Sequence, residues 1–314
     1  MNQSAKATAV GLLAPVLWGM SVGIVRGVSE DFGIAAGFTI MYTISFLLLL
    51  MLFGRPKVSV FPWKYRIFGI GSANFCAVCF VFSLAISEGG TQTMQVGMVN
   101  YIWPCLTILF AILFNGQRAR WWVWTGVLLC MAGVLIVLGG ERGLDPEELR
   151  RNLETNPWSY IIAAAGAVSW AAYSSMTRAW SNGGNPVVII FFNDALIFAV
   201  LWLLGFEADL AASGRGWLGV VLGACATGLG YGVWTYGMQR GSMTLLAIGS
   251  YFTPVLSCLF ASYWIGADLS PTFWQGVMLV VAGSLVCWLS TRGLKAPEAA
   301  GEPIEHQSDK RADL

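Results

Sequence analysis

Hydrophobic positions in this chain do not alternate, nor do they mark one stripe of otherwise polar helices. They run in long continuous blocks separated by charges, glycines and prolines. A helix rises 1.5 Å per residue, so a block of about 20 apolar residues spans about 30 Å of hydrocarbon. Ten such blocks are predicted as membrane helices, at 7–27, 34–54, 65–87, 92–114, 121–139, 158–179, 186–205, 216–238, 243–265 and 272–290. Continuous apolarity excludes a membrane β-barrel, whose strands alternate lipid-facing and lumen-facing residues.

The blocks repeat. YIWPCLTILFA from Tyr101 and YFTPVLSCLFA from Tyr251 share six of eleven positions at an offset of 150, and WTGVLLCMAGVL from Trp124 follows WQGVMLVVAGSL from Trp274 at the same offset. A weaker echo at offset 152 sets Trp18 and Arg26 against Trp170 and Arg178. Two copies of a five-helix module must lie upside down relative to each other, because five is odd. The expected fold is therefore an all-α integral membrane protein of ten transmembrane helices, built as two inverted-topology repeats of five. The expected division is 1–140 for the first repeat, 141–157 for an outer connection with a short helix, 158–291 for the inverted second repeat and 292–314 for a disordered cytoplasmic tail.

Composition and charge sharpen this picture. Hydrophobic residues make up 56% of the 314, charged residues 11%, and the mean hydropathy is +0.66, far too apolar for a water-soluble domain of this size. With the amino terminus inside, the inner connections carry Lys6, Arg55, Lys57, Lys64, Arg66, Arg118, Arg120, Arg178, Arg240, Arg292 and Lys295; the outer ones carry only Arg26, Arg142, Arg150, Arg151 and Arg215. Apart from the tail and Asp194, every Asp and Glu falls on the outer side. Both termini are thus expected to be cytoplasmic. Lys6 precedes a first block of full length, which is expected to be a retained helix and not a cleaved signal peptide.

In the outer connection, Asp145 is placed to cap a short helix with Pro146 at its first position, Glu147 and Glu148 in its first turn, and Arg150 and Arg151 near its end. The one histidine, His306, lies in the polar tail, which leaves no imidazole for an intramembrane metal site, a histidine proton relay or an activated nucleophile. An enzyme is therefore not expected, nor a metal or cofactor. All seven cysteines fall inside predicted spans; Cys76 and Cys79 have a C-x-x-C spacing but are read as small apolar packing residues, without a disulfide.

Asp194 stands alone as a formal charge away from the ends of the blocks. An ionised carboxylate at that depth costs roughly 2.5–3.5 kcal/mol on insertion scales, so a reason for it is required. It either couples transport to protons or contacts a cationic group, or it hydrogen-bonds a neighbouring helix. Arg26 and Arg178 are expected at helix ends, where a cation complements the helix dipole. Trp63, Trp121, Trp122, Trp158, Trp217, Trp264, Trp274 and Trp288 fall near block ends, as in interfacial belts. Trp18, Trp103, Trp170 and Trp234 are deeper, as are Tyr101, Tyr173, Tyr231, Tyr236 and Tyr251, with Asn74, Gln95, Asn100, Ser174, Asn193 and Ser250 near them in the chain. Aromatic faces with a few polar groups at mid-membrane form a cavity for a molecule with a flat apolar part and a polar head. The cavity candidates are Trp18, Asn74, Asn100, Tyr101, Trp170, Tyr173, Asn193, Asp194, Trp234, Ser250 and Tyr251. Pro104 and Pro254 are candidate hinges, since each removes a backbone donor near the middle of its block.

Ten spans in two inverted sets of five, VLWG at 16–19 and VSW at 168–170, the Tyr-x-x-Pro of the fourth and ninth blocks, and the W-x-G-V with a later Ala-Gly of the fifth and tenth resemble the drug/metabolite transporter superfamily, specifically its EamA branch. The resemblance covers residues 5 to about 292. Within that branch the chain is similar to bacterial aromatic amino-acid exporters. The resemblance implies an inner-membrane exporter of phenylalanine, tyrosine and tryptophan, open to other amino acids, with a central cavity between the modules. The partners expected are small-molecule amino acids and the lipid bilayer, without nucleic acid, and a monomer is sufficient. An exporter of cationic drugs such as methyl viologen is the alternative, with Asp194 and the aromatic faces binding the charge.

Overall fold

The computed structural model describes residues 3–142, 145–206, 208–210, 213–241 and 243–294. Every regular element among them is helical. Hydrocarbon supplies no hydrogen-bond partner, and a helix pairs its backbone groups within itself.

The first predicted block is not one rod but three pieces, α1 (Gln3–Gly11), α2 (Leu13–Gly19) and α3 (Ser21–Phe32). Pro15 has no N–H for the carbonyl of Gly11, and the helix interrupts at Leu12. A second break at Met20 bends the path by 42°. After Gly33, whose φ of 73° only glycine adopts at little cost, come α4 (Ile34–Phe53) and α5 (Gly71–Ala85), the latter led in by the π-helical Tyr65–Ile70. The fourth block splits into α6 (Gly89–Asn100) and α7 (Trp103–Asn115). Then follow α8 (Val123–Leu138), the short α9 (Pro146–Thr155), α10 (Pro157–Trp180), α11 (Val187–Leu203) and α12 (Gly214–Arg240). The ninth block splits like the fourth, into α13 (Met243–Ser250) and α14 (Thr253–Ile265), before α15 (Pro271–Thr291).

Each of the ten predicted blocks is therefore helical, but length and apolarity qualify six stretches to cross a membrane, 34–53, 65–85, 89–115, 214–237, 248–265 and 271–291, and a seventh if α1 to α3 form one bent span. The apolar α8 and α11 are shorter, with 16 and 17 residues. α10 has 24 residues, diluted by serines, small alanines and Arg178.

The most extensive helix packing joins α8 to α15, α4 to α11 and α5 to α10. In the first pair, Arg120 N–H donates to the Ser290 carbonyl at 2.9 Å, Cys130 Sγ lies 3.5 Å from the Val280 carbonyl, and Thr272 donates to the Glu141 carbonyl at 2.8 Å. Numbers rise on one helix as they fall on the other, so the pair is antiparallel. A Cβ at Gly126 would lie 2.7 Å from the Gly283 carbonyl oxygen, and one at Gly133 would lie 2.6 Å from that of Gly276. Gly126 corresponds to Gly276 in the repeat, and Gly133 to Gly283, so these contacts cross between the two copies.

α9 starts as its residues dictate: Asp145 Oδ1 accepts the Glu147 N–H at 3.0 Å, and Arg150 pairs with Glu154 at 2.8 Å and Glu147 at 3.2 Å. Asn152 donates to the Leu138 carbonyl at 2.8 Å, tying α9 to the end of α8. Arg178 lies in the last turn of α10. Arg26 does not end a helix. It lies inside α3, pairs with Glu30 at 2.6 Å and donates to the carbonyls of Leu84, Ala85 and Ser87 at 3.1, 2.8 and 2.7 Å. Its guanidinium thus satisfies carbonyls that the end of α5 leaves open. The expected tail from residue 295 onward, with His306, lies outside the described residues.

Candidate functional site

Aromatic rings from three helices meet Tyr231 of α12. Its ring centroid is 5.2 Å from that of Trp18 on α2, 6.2 Å from that of Trp170 on α10 and 5.4 Å from that of Phe191 on α11. Trp18 also packs on Trp234 at 5.2 Å, and Trp170 on Tyr173 at 5.0 Å and on Trp103 of α7 at 6.2 Å. Offset and edge contacts at these separations are favourable for aromatic quadrupoles. Backbone economy allows the approach: a Cβ at Gly230 would lie 2.7 Å from Trp18 Nε1. Trp18 Nε1 is buried without a hydrogen-bond partner, an indole donor left open beside the cluster.

A polar chain borders the aromatics. Asp194 is 1% exposed and accepts a hydrogen bond from Asn74 Nδ2 at 2.6 Å. Asn74 Nδ2 also donates to the Ile190 carbonyl at 2.9 Å, and Asn74 Oδ1 accepts from Asn193 Nδ2 at 3.2 Å. The chain joins α5 to α11, so the carboxyl does hydrogen-bond a neighbouring helix. Phe191 precedes Asp194 by three residues and links this polar chain to Tyr231.

The remaining candidates stand at the breaks of the fourth and ninth blocks. Tyr101 and Ile102 separate α6 from α7, and Tyr251 and Phe252 separate α13 from α14. Pro104 and Pro254 sit in the first turn of the helices that follow. Pro104 has no N–H to give the Asn100 carbonyl, and Pro254 none for that of Ser250. The two breaks then differ: Thr253 Oγ1 donates to the Ser250 carbonyl at 2.7 Å, whereas Trp103 occupies the corresponding position at the first break. Asn100 Oδ1 is buried without a partner. Tyr101 and Tyr251 are buried at these breaks and make no ring contact with the Tyr231 cluster among the described residues.

Two cavities open on the side predicted to be outer. One, of about 430 Å³, is lined by Arg26, Glu30, Asp31, Thr93, Arg215 and Trp264, among others. The other, of about 400 Å³, is lined by Glu88, Gln92, Gln95, Glu141, Asn152 and Asp268, among others. Arg215 lies over the Trp264 ring at 5.2 Å and donates to the Trp264 carbonyl. Neither cavity is lined by Tyr231 or Asp194.

Of the cavity candidates, the structure brings Trp18, Trp170, Tyr173 and Trp234 together, and separately Asn74, Asn193 and Asp194. Sequence reasoning marked Tyr231 only as a deep aromatic and omitted it from the candidates, although it is the ring on which the cluster converges. The one signal beside it was Gly230, whose missing side chain leaves room for the Trp18 ring, while Gly228 and Gly232 face Ser45, Leu48 and Leu52 of α4. Tyr42 of α4, packed on Phe191 at 5.8 Å and Phe198 at 5.5 Å, was missed as well.

Helices broken 150 residues apart thus flank a core of aromatic and amide groups. The EamA-like transporter family model matches the chain twice, over residues 5–139 and 157–289, and the chain belongs to that family. It is 41% identical over 291 residues to the aromatic amino acid exporter YddG of Salmonella typhimurium, covering 92% of this chain and 99% of the relative. It is also 41% identical over 289 residues to the exporter of that name from Escherichia coli K12, covering 91% and 98%. A YddG exporter from Ancylobacter novellus is 31% identical over 74% of this chain and 78% of its own. A crystal structure with 25% sequence identity aligns with a TM-score of 0.63, covering 93% of this chain and 99% of that one.

Proposed function

We propose that this protein exports aromatic amino acids, and other amino acids of similar shape, from the bacterial cytoplasm by alternating access. The observation that carries the reading is the convergence of Trp18 and Trp170, counterparts in the two halves of the chain, on the single ring of Tyr231. A substrate held there touches both modules at once, which a rocking mechanism requires. Stacking on Trp18, Trp170, Tyr173, Trp234 and Tyr231 and release of water supply the binding of the side chain. The open Trp18 Nε1 donates to the substrate carboxylate. The likeness to three aromatic amino acid exporters over most of this chain supports the substrate class.

In this reading ten spans form two inverted repeats, residues 1–140 and 158–291, joined by the outer connection 141–157, with both termini and the tail 292–314 in the cytoplasm. The double family match and the cross-paired glycines of α8 and α15 support the duplication. α7 and α14 swing about Pro104 and Pro254, while α8 and α15 hold the halves together. The site is complete within one chain, so a monomer suffices, and no cofactor enters the cycle.

Export of a flat dication such as methyl viologen is the second reading, favoured by one observation, the buried carboxyl of Asp194 near aromatic faces. Uptake of radiolabelled phenylalanine into proteoliposomes, with unlabelled tryptophan, threonine and methyl viologen as competitors, decides between them. Saturable uptake competed by tryptophan is expected. Absence of uptake, or competition by methyl viologen alone, overturns the amino-acid assignment.

A further inference from the structure

Asp194 has a single donor. Asn74 spends one N–H on Asp194 Oδ1 and the other on the Ile190 carbonyl, and no second hydrogen bond or ion pair to the Asp194 carboxyl is found among the described residues. The titratable groups that face it from the surrounding helices are Tyr42 of α4, Cys76 of α5 and Tyr231 of α12, none of which carries a positive charge. A carboxylate ion enclosed in apolar surroundings needs several donors or a cation to hold its charge. Here the charge must be matched by something that arrives, either a proton or the cationic end of a bound molecule. The carboxyl is well placed for both, since Phe191, one turn before it, packs against Tyr231 at the heart of the aromatic cluster.

We propose that Asp194 alternately holds a proton and balances the ammonium group of the substrate, so that each amino acid leaving the cell is exchanged for a proton entering it. This inference rests on the amino-acid reading above and adds its driving force. With the site open inward, the carboxylate attracts the ammonium group of an amino acid and gives up its proton to cytoplasmic water. With the site open outward, the amino acid departs and a proton from the outer water takes its place on the carboxylate. The neutral carboxyl then passes back through the closed state. A zwitterion carries no net charge, so one positive charge enters per cycle.

The test uses purified protein in proteoliposomes with a trapped pH dye, reading proton movement alongside radiolabelled phenylalanine, and separately phenylalanine exchange without any gradient. The wild type is expected to move about one proton per phenylalanine in the opposite direction, and D194E, which keeps a titratable group, to retain that movement. D194N is expected to lose proton movement while still exchanging phenylalanine, with KM raised about tenfold through loss of one charged contact. Phenylalanine transport by the wild type without proton movement overturns the proposal, as does proton movement undiminished in D194N. Loss of exchange and proton movement together, in a D194N protein with the wild-type melting temperature, also overturns it by making the carboxyl a substrate ligand alone. If D194N does not fold, the proton count of the wild type decides. Absence of any phenylalanine exchange by the wild type is a different result and refutes the amino-acid reading itself.

Discussion

Two pairs of repeat-related helices behave in opposite ways. α8 and α15 are each unbroken and approach so closely that a Cβ at Gly126, Gly133, Gly276 or Gly283 would meet opposing backbone within 2.7 Å. The fourth and ninth blocks, one step earlier in each repeat, are both interrupted next to a tyrosine and a proline. One pair is thus a close-packed seam and the other a pair of interrupted helices. Close packing fixes a position because displacement forfeits dispersion contacts along the whole seam. A missing backbone bond concentrates compliance at one turn. The proposed transport cycle uses both, a seam that stays closed and segments that swing around it.

The comparison breaks most violently at the seam. Replacing Gly126 with Leu forces a side chain into the Cys287 and Gly283 backbone, which cannot retreat, and is expected to destabilise by about 3 kcal/mol or more. Size-exclusion chromatography in detergent should show little folded protein. Next comes Asn74→Ala, which removes the one donor of Asp194 and leaves a buried carboxyl unpartnered. A loss of about 1–3 kcal/mol is expected, read as a lowered melting temperature. At the breaks, Pro104→Ala with Pro254→Ala supplies the missing N–H groups. Folding should be preserved and phenylalanine exchange slowed severalfold, whereas unchanged exchange would remove these prolines from the hinge. The finest test concerns the difference between the breaks. Thr253→Ala removes the hydroxyl that donates to the Ser250 carbonyl and should cost about 1 kcal/mol, while Trp103→Phe, with no hydroxyl at stake, should leave stability nearly unchanged.

Much of this was legible in the chain. Block lengths and the 150-residue offset marked the ten apolar helical regions, and the prolines at 104 and 254 marked both breaks, because proline acts through a local, sequence-readable loss of a donor. Pro15 sent the same signal in the first block, where a single span was expected and three helical pieces are found. Arg26 was misplaced because its partners, the carbonyls of Leu84, Ala85 and Ser87, come from a different helix about 60 residues away. The Asn74–Asp194 bond spans 120 residues and likewise carries no periodicity that would reveal it. Tyr231 escaped for a related reason. Its importance lies in which rings face it, and one chain shows only that glycines surround it.

The central claim is that the Tyr231 cluster, and not the tyrosines at the breaks, receives the aromatic substrate. Equilibrium binding of radiolabelled phenylalanine to purified protein tests it most directly, comparing the wild type with Tyr231→Leu, which keeps bulk but removes the aromatic face, and with Tyr251→Phe. The account predicts saturable binding by the wild type, weakened up to about tenfold in a folded Tyr231→Leu protein and nearly intact in Tyr251→Phe, since one lost aromatic pair is worth about 0.5–1.5 kcal/mol. Undiminished binding in a folded Tyr231→Leu protein would contradict it.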